Sequence, residues 1–342
     1  MLEENKVISS ESTSFPRVGV VGSGSFGTAV VKILCETLDC VNWWVRSPYV
    51  KGFLQNEKRN PHYLSSVEFK TEKLRITNNI NTLIKKSDII IFVVPSIYLL
   101  DSLSELEVSL KGKIVVTGIK GLIPQESKII GEYFHDTHDI PFEDIGVIAG
   151  PCHAEEIALE RLSYITVAFK EKEKSELIAK LFDCKFVNVT LSDDIFGTEH
   201  AAVLKNVYAI SAGIAHGLGY GDNFIAVLLS NAIREMERYL EVISPIDRDV
   251  NDSVYLGDLL VTGYSYFSRN RMFGNMIGKG YTVKSALMEM NMVPEGYYAT
   301  EGIYKIAEEN NIDLPILKTV HKVLYKDKNP KKHFTKLTRD LN

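Results

Sequence analysis

Cysteine is scarce in this chain: four thiols, Cys35, Cys40, Cys152 and Cys184, are spread over 342 residues. Their spacing matches neither a zinc ribbon nor a disulfide framework, so a reducing setting is expected. No run of about 18 uninterrupted apolar residues occurs, which leaves no candidate membrane span. Positive charge is not in excess either. The 39 Lys and Arg face 44 Asp and Glu, a formal net charge of -5. That excludes a broad electrostatic footprint for nucleic acid, and an anionic ligand must be held by a few well-placed cations. His200 and His216 lack partners at metal-ligand spacing, so no metal is expected. Internal repeats and low-complexity tracts are missing as well. The first fifteen residues, MLEENKVISSESTSF, are acidic and hydroxyl-rich without an apolar run. They read as a mobile leader rather than a signal peptide, and the expected location is the cytoplasm.

What is present divides into two kinds of pattern. Hydrophobic residues make up 45% of the chain, enough for two cores at this length. Up to Ser192, short β-rich runs alternate with helical patterns: RVGVVG (17–22), VNWWV (41–45), LRITN (74–78), DIIIFVVPS (88–96), KIVVTGIKG (113–121) and DIGVIAGP (144–151), with TVAF and KFVNVT extending the series. Continuous apolar runs, rather than strict alternation, point to strands covered on both faces, as in a parallel sheet between helices. From about Ile195, AAVLKNVYAISAGIAHGLG and NFIAVLLSNAIREMERYL place apolar residues three and four apart, the helical period. No strand pattern follows, and Asn310, Asn311, Asp313 and Pro315 separate two late helices. The expected organisation is a leader over 1–15, an α/β Rossmann-type domain with a mostly parallel sheet over 16–192, and an all-α substrate-binding domain over 193–342.

Gly22-Ser-Gly24-Ser-Phe-Gly27 follows the first strand directly and opens a helix. In that context the first glycine permits the turn, the second lets a pyrophosphate approach the backbone, and the third allows close strand–helix packing. Free N–H groups at the helix start favour the anion. The carboxylate that usually grips the adenosine ribose, at the end of the second strand, is missing. Arg46 stands there instead, and Asp39 precedes the strand. An arginine can pair with a 2′-phosphate, stack on adenine or face solvent. The first reading predicts that NADPH is accepted and even preferred.

Six segments, GSGSFGTA (22–29), GIKGL (118–122), AGPCHAEEIA (149–158), LKNVYAISAGIAHGLGYGDN (204–223), GDLLVTGYSYFSRNRMFG (257–274) and EGYYATEG (295–302), together resemble the NAD(P)-dependent glycerol-3-phosphate dehydrogenases. The resemblance implies a Rossmann domain joined to a helical domain, with the active site in the cleft between them. It implies reversible hydride transfer between NAD or NADP and C2 of the substrate pair, dihydroxyacetone phosphate and sn-glycerol 3-phosphate, feeding glycerophospholipid synthesis. By family pattern Lys205 is the proton donor in reduction and acceptor in oxidation, with Lys120 and Asp258 in support. Gly150, Cys152, Ser268, Arg269 and Asn270 correspond to substrate-binding positions. Ser25, Phe26, Arg46, Pro95, Ala154, Val293 and Glu295 match cofactor contacts beside Gly22, Gly24 and Gly27, and Lys120 and Arg269 touch both ligands. Family habit suggests a homodimer.

The chemistry asks for these residue types. Hydride addition to a ketone leaves negative charge on oxygen, which needs a proton and an electrostatic partner. A lysine supplies both when burial or a second cation lowers its pKa, and Lys205 lies within the apolar run LKNVYAI. Lys120 follows a strand, at the end where open α/β sheets bind ligands. Arg269 offers a planar fork to a phosphate, with Ser268 and Asn270 as neutral donors beside it. Asp258 cannot bind phosphate and is assigned to orienting Lys205, and Thr262, one helical turn on, is a further hydroxyl donor. His153 reads as a packing residue. Cys152 stands where relatives often carry serine or threonine, so its backbone is the expected contact. Glu155 and Glu156 complement a helix start. Asn231 occupies a position where a basic residue is expected in many relatives. Two alternatives share the architecture: a β-hydroxyacid dehydrogenase-like enzyme, which the Ser268–Asn270 cluster argues against, and a non-catalytic NAD(P)H sensor, which has no use for Lys205, Lys120 and Asp258 together.

Overall fold

The computed structural model describes residues 16–290 and 292–341, and the expected leader lies outside them. Eight strands form one sheet: β1 (Val18–Val21), β2 (Val41–Trp44), β3 (Leu74–Thr77), β4 (Ile89–Phe92), β5 (Ile114–Thr117), β6 (Ile145–Ala149), β7 (Ser163–Ala168) and β8 (Val187–Ser192). Their spatial order is β3-β2-β1-β4-β5-β6-β7-β8. Every pairing is parallel except β6 with β7. Between the strands run α1 (Ser25–Thr37), α2 (Pro48–Glu57), α3 (Ile80–Lys85), α4 (Leu99–Leu103), α5 (Ile130–His138), α6 (Ala154–Ala158) and α7 (Lys172–Phe182). The uninterrupted apolar runs are explained by helices on both faces. Ile89 and Ile91 of β4 pack with α1 and α7, whereas Ile90 and Phe92 pack with α3, α4 and α5. Strand order changes direction between the parallel neighbours β1 and β4, the kind of switch point at which open sheets bind dinucleotides.

The polar stretch 49–73 contains α2, a helix not marked by the sequence pattern. Ser47 caps it by accepting from the Val50 N–H, Pro48 occupies its first turn, and only Val50 and Leu54 are buried. Its stop signal is Lys58 in the left-handed conformation, where a glycine would have been easier to read.

The second half is helical: α8 (Ile195–Gly217), α9 (Asp222–Ile243), α10 (Asp258–Tyr264), α11 (Arg269–Gly278), α12 (Val283–Glu289), α13 (Glu295–Glu309), α14 (Pro315–Tyr325) and α15 (Pro330–Leu337). Helix α8 is buried on all sides for most of its length, because the other helices wrap around it. It crosses α11 with backbone against backbone. A Cβ placed on Gly213 or Gly217 would strike the Arg271 or Asn275 carbonyl, and one on Gly274 or Gly278 would strike the Ile210 or Ile214 carbonyl. Two buried carboxylates brace the assembly. Glu199 of α8 accepts from the Ile130 and Gly131 N–H groups at the start of α5, and Glu235 of α9 accepts from Ile316 and Leu317 at the start of α14. Burial raises both carboxyls to about 8, against the pull of those N–H donors.

Candidate active site

A cleft of about 650 Å³ opens between the carboxyl ends of the strands and helices α8, α10, α11 and α13. Its floor at one end is the glycine loop. Gly22 has φ +128°, and a Cβ there would lie 2.9 Å from the Val93 carbonyl, so the turn requires glycine. A Cβ on Gly27 would collide with the Gly22 carbonyl, which places this glycine under the loop rather than on the cleft wall. Gly24 is different. A Cβ there would meet no protein atom, so the missing side chain leaves room on the cleft side, immediately before the N–H groups of α1. That is the cradle a pyrophosphate requires. Two side chains outside the glycine motif hold the loop: Trp43 Nε1 donates to the Gly22 carbonyl at 2.8 Å, and Asn60 Nδ2 donates to the Ser23 carbonyl at 2.9 Å.

At the other end lies a buried charge cluster. Lys205, on α8, is ion-paired with Asp258, the first residue of α10, and the two side chains are 4% and 2% exposed. Lys120, three residues beyond β5, reaches the second Asp258 oxygen at 3.9 Å. Burial disfavours all three charges. For Lys205, burial and the Lys120 ammonium outweigh the Asp258 carboxylate, lowering its pKa to about 8. Asp258 is buried too, but the ammoniums of Lys120 and Lys205 hold its carboxyl below the ordinary carboxylate range. Lys120 resists its own burial through Asp258, which raises it above the usual lysine value. A cation near neutrality beside a permanently charged one is the equipment for delivering a proton to a developing oxyanion.

The cleft wall brings together Gly22, Gly24, Ser25, Phe26, Arg46, Pro95, Lys120, Cys152, Ala154, Lys205, Asp258, Thr262, Ser268, Arg269, Asn270, Val293 and Glu295. Gly150 is set back, and its N–H donates to Asp258 Oδ2 at 3.3 Å. Several expected donors have partners within the protein. The Thr262 hydroxyl donates to the Asp258 carbonyl at 2.6 Å. Ser268 caps α11 by accepting from the Arg271 N–H. The Asn270 amide donates to Asn206 Oδ1 at 2.9 Å and accepts from the Gly296 N–H at 2.9 Å. Arg269 is thus the cationic member of the trio that faces the cleft. The Cys152 thiol donates to the Gly150 carbonyl at 3.1 Å, and burial pushes its pKa up despite the nearby lysines. His153 is held to about 4 by burial and by Lys205 and Lys120, so it is a neutral ring, tilted against Phe267. Glu155 and Glu156 lie in the first turn of α6.

One positioning residue, Asn206, and one positioning role, that of Glu295, escaped the sequence reading. Asn206 follows Lys205 on α8. Besides holding Asn270, it donates from Nδ2 to the Lys120 carbonyl at 2.8 Å, tying α8, α11 and the β5 loop together. A carboxamide inside an otherwise apolar helical run was the signal available for it. Glu295, expected as a cofactor contact, also clamps the loop after β4, accepting from the Ser96 N–H at 2.8 Å and the Ser96 hydroxyl at 2.6 Å. Nothing in the local sequence links positions 199 residues apart.

Fold and cleft together define the class of two-lobed dehydrogenases in which a glycine-loop sheet faces a helical lobe. Comparison with known proteins is more specific. The model for the N-terminal part of NAD-dependent glycerol-3-phosphate dehydrogenase matches residues 17–175, and that for its C-terminal part matches 194–335. The chain belongs to the NAD-dependent glycerol-3-phosphate dehydrogenase family. A glycerol-3-phosphate dehydrogenase [NAD(P)+] of Staphylococcus carnosus is 33% identical over 91% of this chain and 94% of its own length. The corresponding protein of Enterococcus faecalis is 33% identical over 91% of this chain and 92% of its own. Among solved structures, glycerol-3-phosphate dehydrogenase from Coxiella burnetii superposes with a TM-score of 0.87 at 26% identity, covering 95% of this chain and 99% of that one. D-mandelate dehydrogenase, at TM-score 0.58 and 16% identity, shares the fold alone. The alternative of a β-hydroxyacid dehydrogenase-like enzyme gives way to this family.

Proposed function

We propose that this chain reduces dihydroxyacetone phosphate to sn-glycerol 3-phosphate with NADH or NADPH, and that Lys205 carries the proton. The observation that supports it best is the buried Lys205–Asp258 pair, with the lysine near neutrality, in the same cleft as the glycine loop. Gly22, Gly24 and Ser25 would hold a reduced dinucleotide, whose chemistry would be to supply the hydride for C2 of the ketone. The residues of the chain do the rest. Lys205 Nζ gives its proton to the oxygen on C2, and Asp258 aims the ammonium and steadies its charge. Lys120 remains charged and balances negative charge as it develops. Arg269 and the N-terminal turn of α11, set by the Ser268 cap, face the phosphate. Asn206 and Asn270 keep these groups in register.

The same reading divides the protein at about residue 192, makes it a cytoplasmic homodimer and has its product enter glycerophospholipid synthesis. No helix among the described residues is long and apolar enough to cross a membrane. A spectrophotometric assay with dihydroxyacetone phosphate and each reduced cofactor tests the central claim. Turnover should depend on Lys205. Binding of dinucleotide without any turnover would point back to a sensor.

A further inference from the structure

The ribose end of the cleft contains a charge that the strand pattern did not anticipate. Arg46 leaves β2 on the cleft wall, where a dinucleotide fold places the adenosine ribose. Its guanidinium Nη1 meets Asp101 Oδ2 at 2.6 Å. Asp101 belongs to α4, which follows β4, and its neighbours in the same turn, Tyr98 and Ser102, line the cleft beside Arg46. A carboxylate is therefore present at the ribose end after all, delivered by a different element from the one that usually carries it.

We propose that Asp101 sets the balance between NADH and NADPH by competing with the 2′-phosphate for the Arg46 guanidinium. The proposal rests on the reading that Arg46 meets the adenosine end of the cofactor. Both side chains are more than half exposed, 61% and 54%, so their attraction is screened by water and the pair is easily opened. A phosphate bearing nearly two negative charges can take over the guanidinium, but Asp101 then stands within a few ångströms of it as a like charge. With NADH no such conflict arises, and the pair remains intact. One residue thereby moderates a site that Arg46 alone would tilt toward the phosphorylated cofactor.

The test compares wild type, Asp101→Asn, Arg46→Ala and the double variant, measuring kcat/KM and Kd for NADH and NADPH at low and high salt. Cofactor binding is followed through the fluorescence of Trp44, which lines the cleft. Asp101→Asn should raise kcat/KM for NADPH relative to NADH by about threefold to tenfold, through KM rather than kcat, with the gain shrinking as salt rises. Arg46→Ala should lose affinity for NADPH selectively, and Asp101→Asn added to it should help NADPH less than it does with Arg46 present, because only the direct repulsion is left to remove. An unchanged cofactor ratio in Asp101→Asn, with Arg46→Ala still selective, overturns this proposal and leaves the Arg46 reading standing. Equal loss for both cofactors in Arg46→Ala removes the reading underneath. A role for Asp101 confined to favouring the start of α4 would alter thermal stability and leave the ratio where it was.

Discussion

The two ends of the cleft use the same chemical pair, a basic side chain against an aspartate, in opposite surroundings. Lys205 and Asp258 are almost wholly buried, whereas Arg46 and Asp101 are more than half exposed. Water decides what each pair is good for. Inside, burial costs the charges so much that the lysine is brought close to neutrality, where a proton can be given up. Outside, solvent screening leaves a weak pair that can be opened and re-formed by a ligand. On the functions proposed above, the buried pair would serve chemistry and the exposed pair recognition.

The strongest way to break this comparison is to remove the buried cation. Lys205→Ala should lower kcat by roughly 10²–10⁴ while leaving the Kd for cofactor within a few-fold, as measured by steady-state turnover and fluorescence titration. Loss of cofactor affinity instead of turnover would place Lys205 at the wrong end. Asp258→Asn should cost about tenfold or more in kcat and shift the pH profile. In wild type, reduction needs the protonated lysine and should fall as pH rises through about 8, whereas oxidation needs the neutral amine and should rise through the same point. Asp258 favours the charged lysine, so its neutralisation should move both limbs to lower pH. Limbs that stay in place would detach the aspartate from the proton step. A smaller effect comes from salt. Raising ionic strength from about 0.05 to 0.5 M should weaken NADPH binding several-fold without moving those limbs, because the exposed attraction of Arg46 for the phosphate is screened and the buried pair is not.

The smallest expected effect concerns Glu199, whose buried carboxyl is met by backbone N–H groups. Its carboxyl is raised from 4.5 to about 8, so the folded protein keeps a proton that the unfolded chain has released. Stability should therefore be full below about pH 4.5 as far as this group is concerned, and decline as pH rises toward 8. Glu199→Gln, which keeps one acceptor for the α5 start, should flatten that decline in thermal melts taken across pH 5 to 9.

The sequence marked the strands and the glycine loop because their signals are local: β-branched runs such as Ile89–Phe92, and glycines where backbone touches backbone. The Lys205 environment was legible for a related reason, since a lysine inside LKNVYAI has no inexpensive place in an apolar helix. Helix α2 was hidden because its stop is a lysine and its apolar face holds only two buried residues. The Asp101–Arg46 and Glu295–Ser96 contacts join residues 55 and 199 positions apart, by side chains whose meeting depends on how loops leave the sheet. Ser268 and Asn270, read as phosphate donors, line the cleft and also have partners within the protein. Their bonds to Arg271, Asn206 and Gly296 depend on how the helices cross, information that a string of residues does not carry.

The glycine contact between α8 and α11 has a mechanical consequence. Lys205 stands on one of these helices and Arg269 begins the other, so the span between these two side chains is set where main chain meets main chain. Such a joint acts as a gauge. With the roles proposed for Lys205 and Arg269, it would measure the substrate from its reacting carbon to its phosphate.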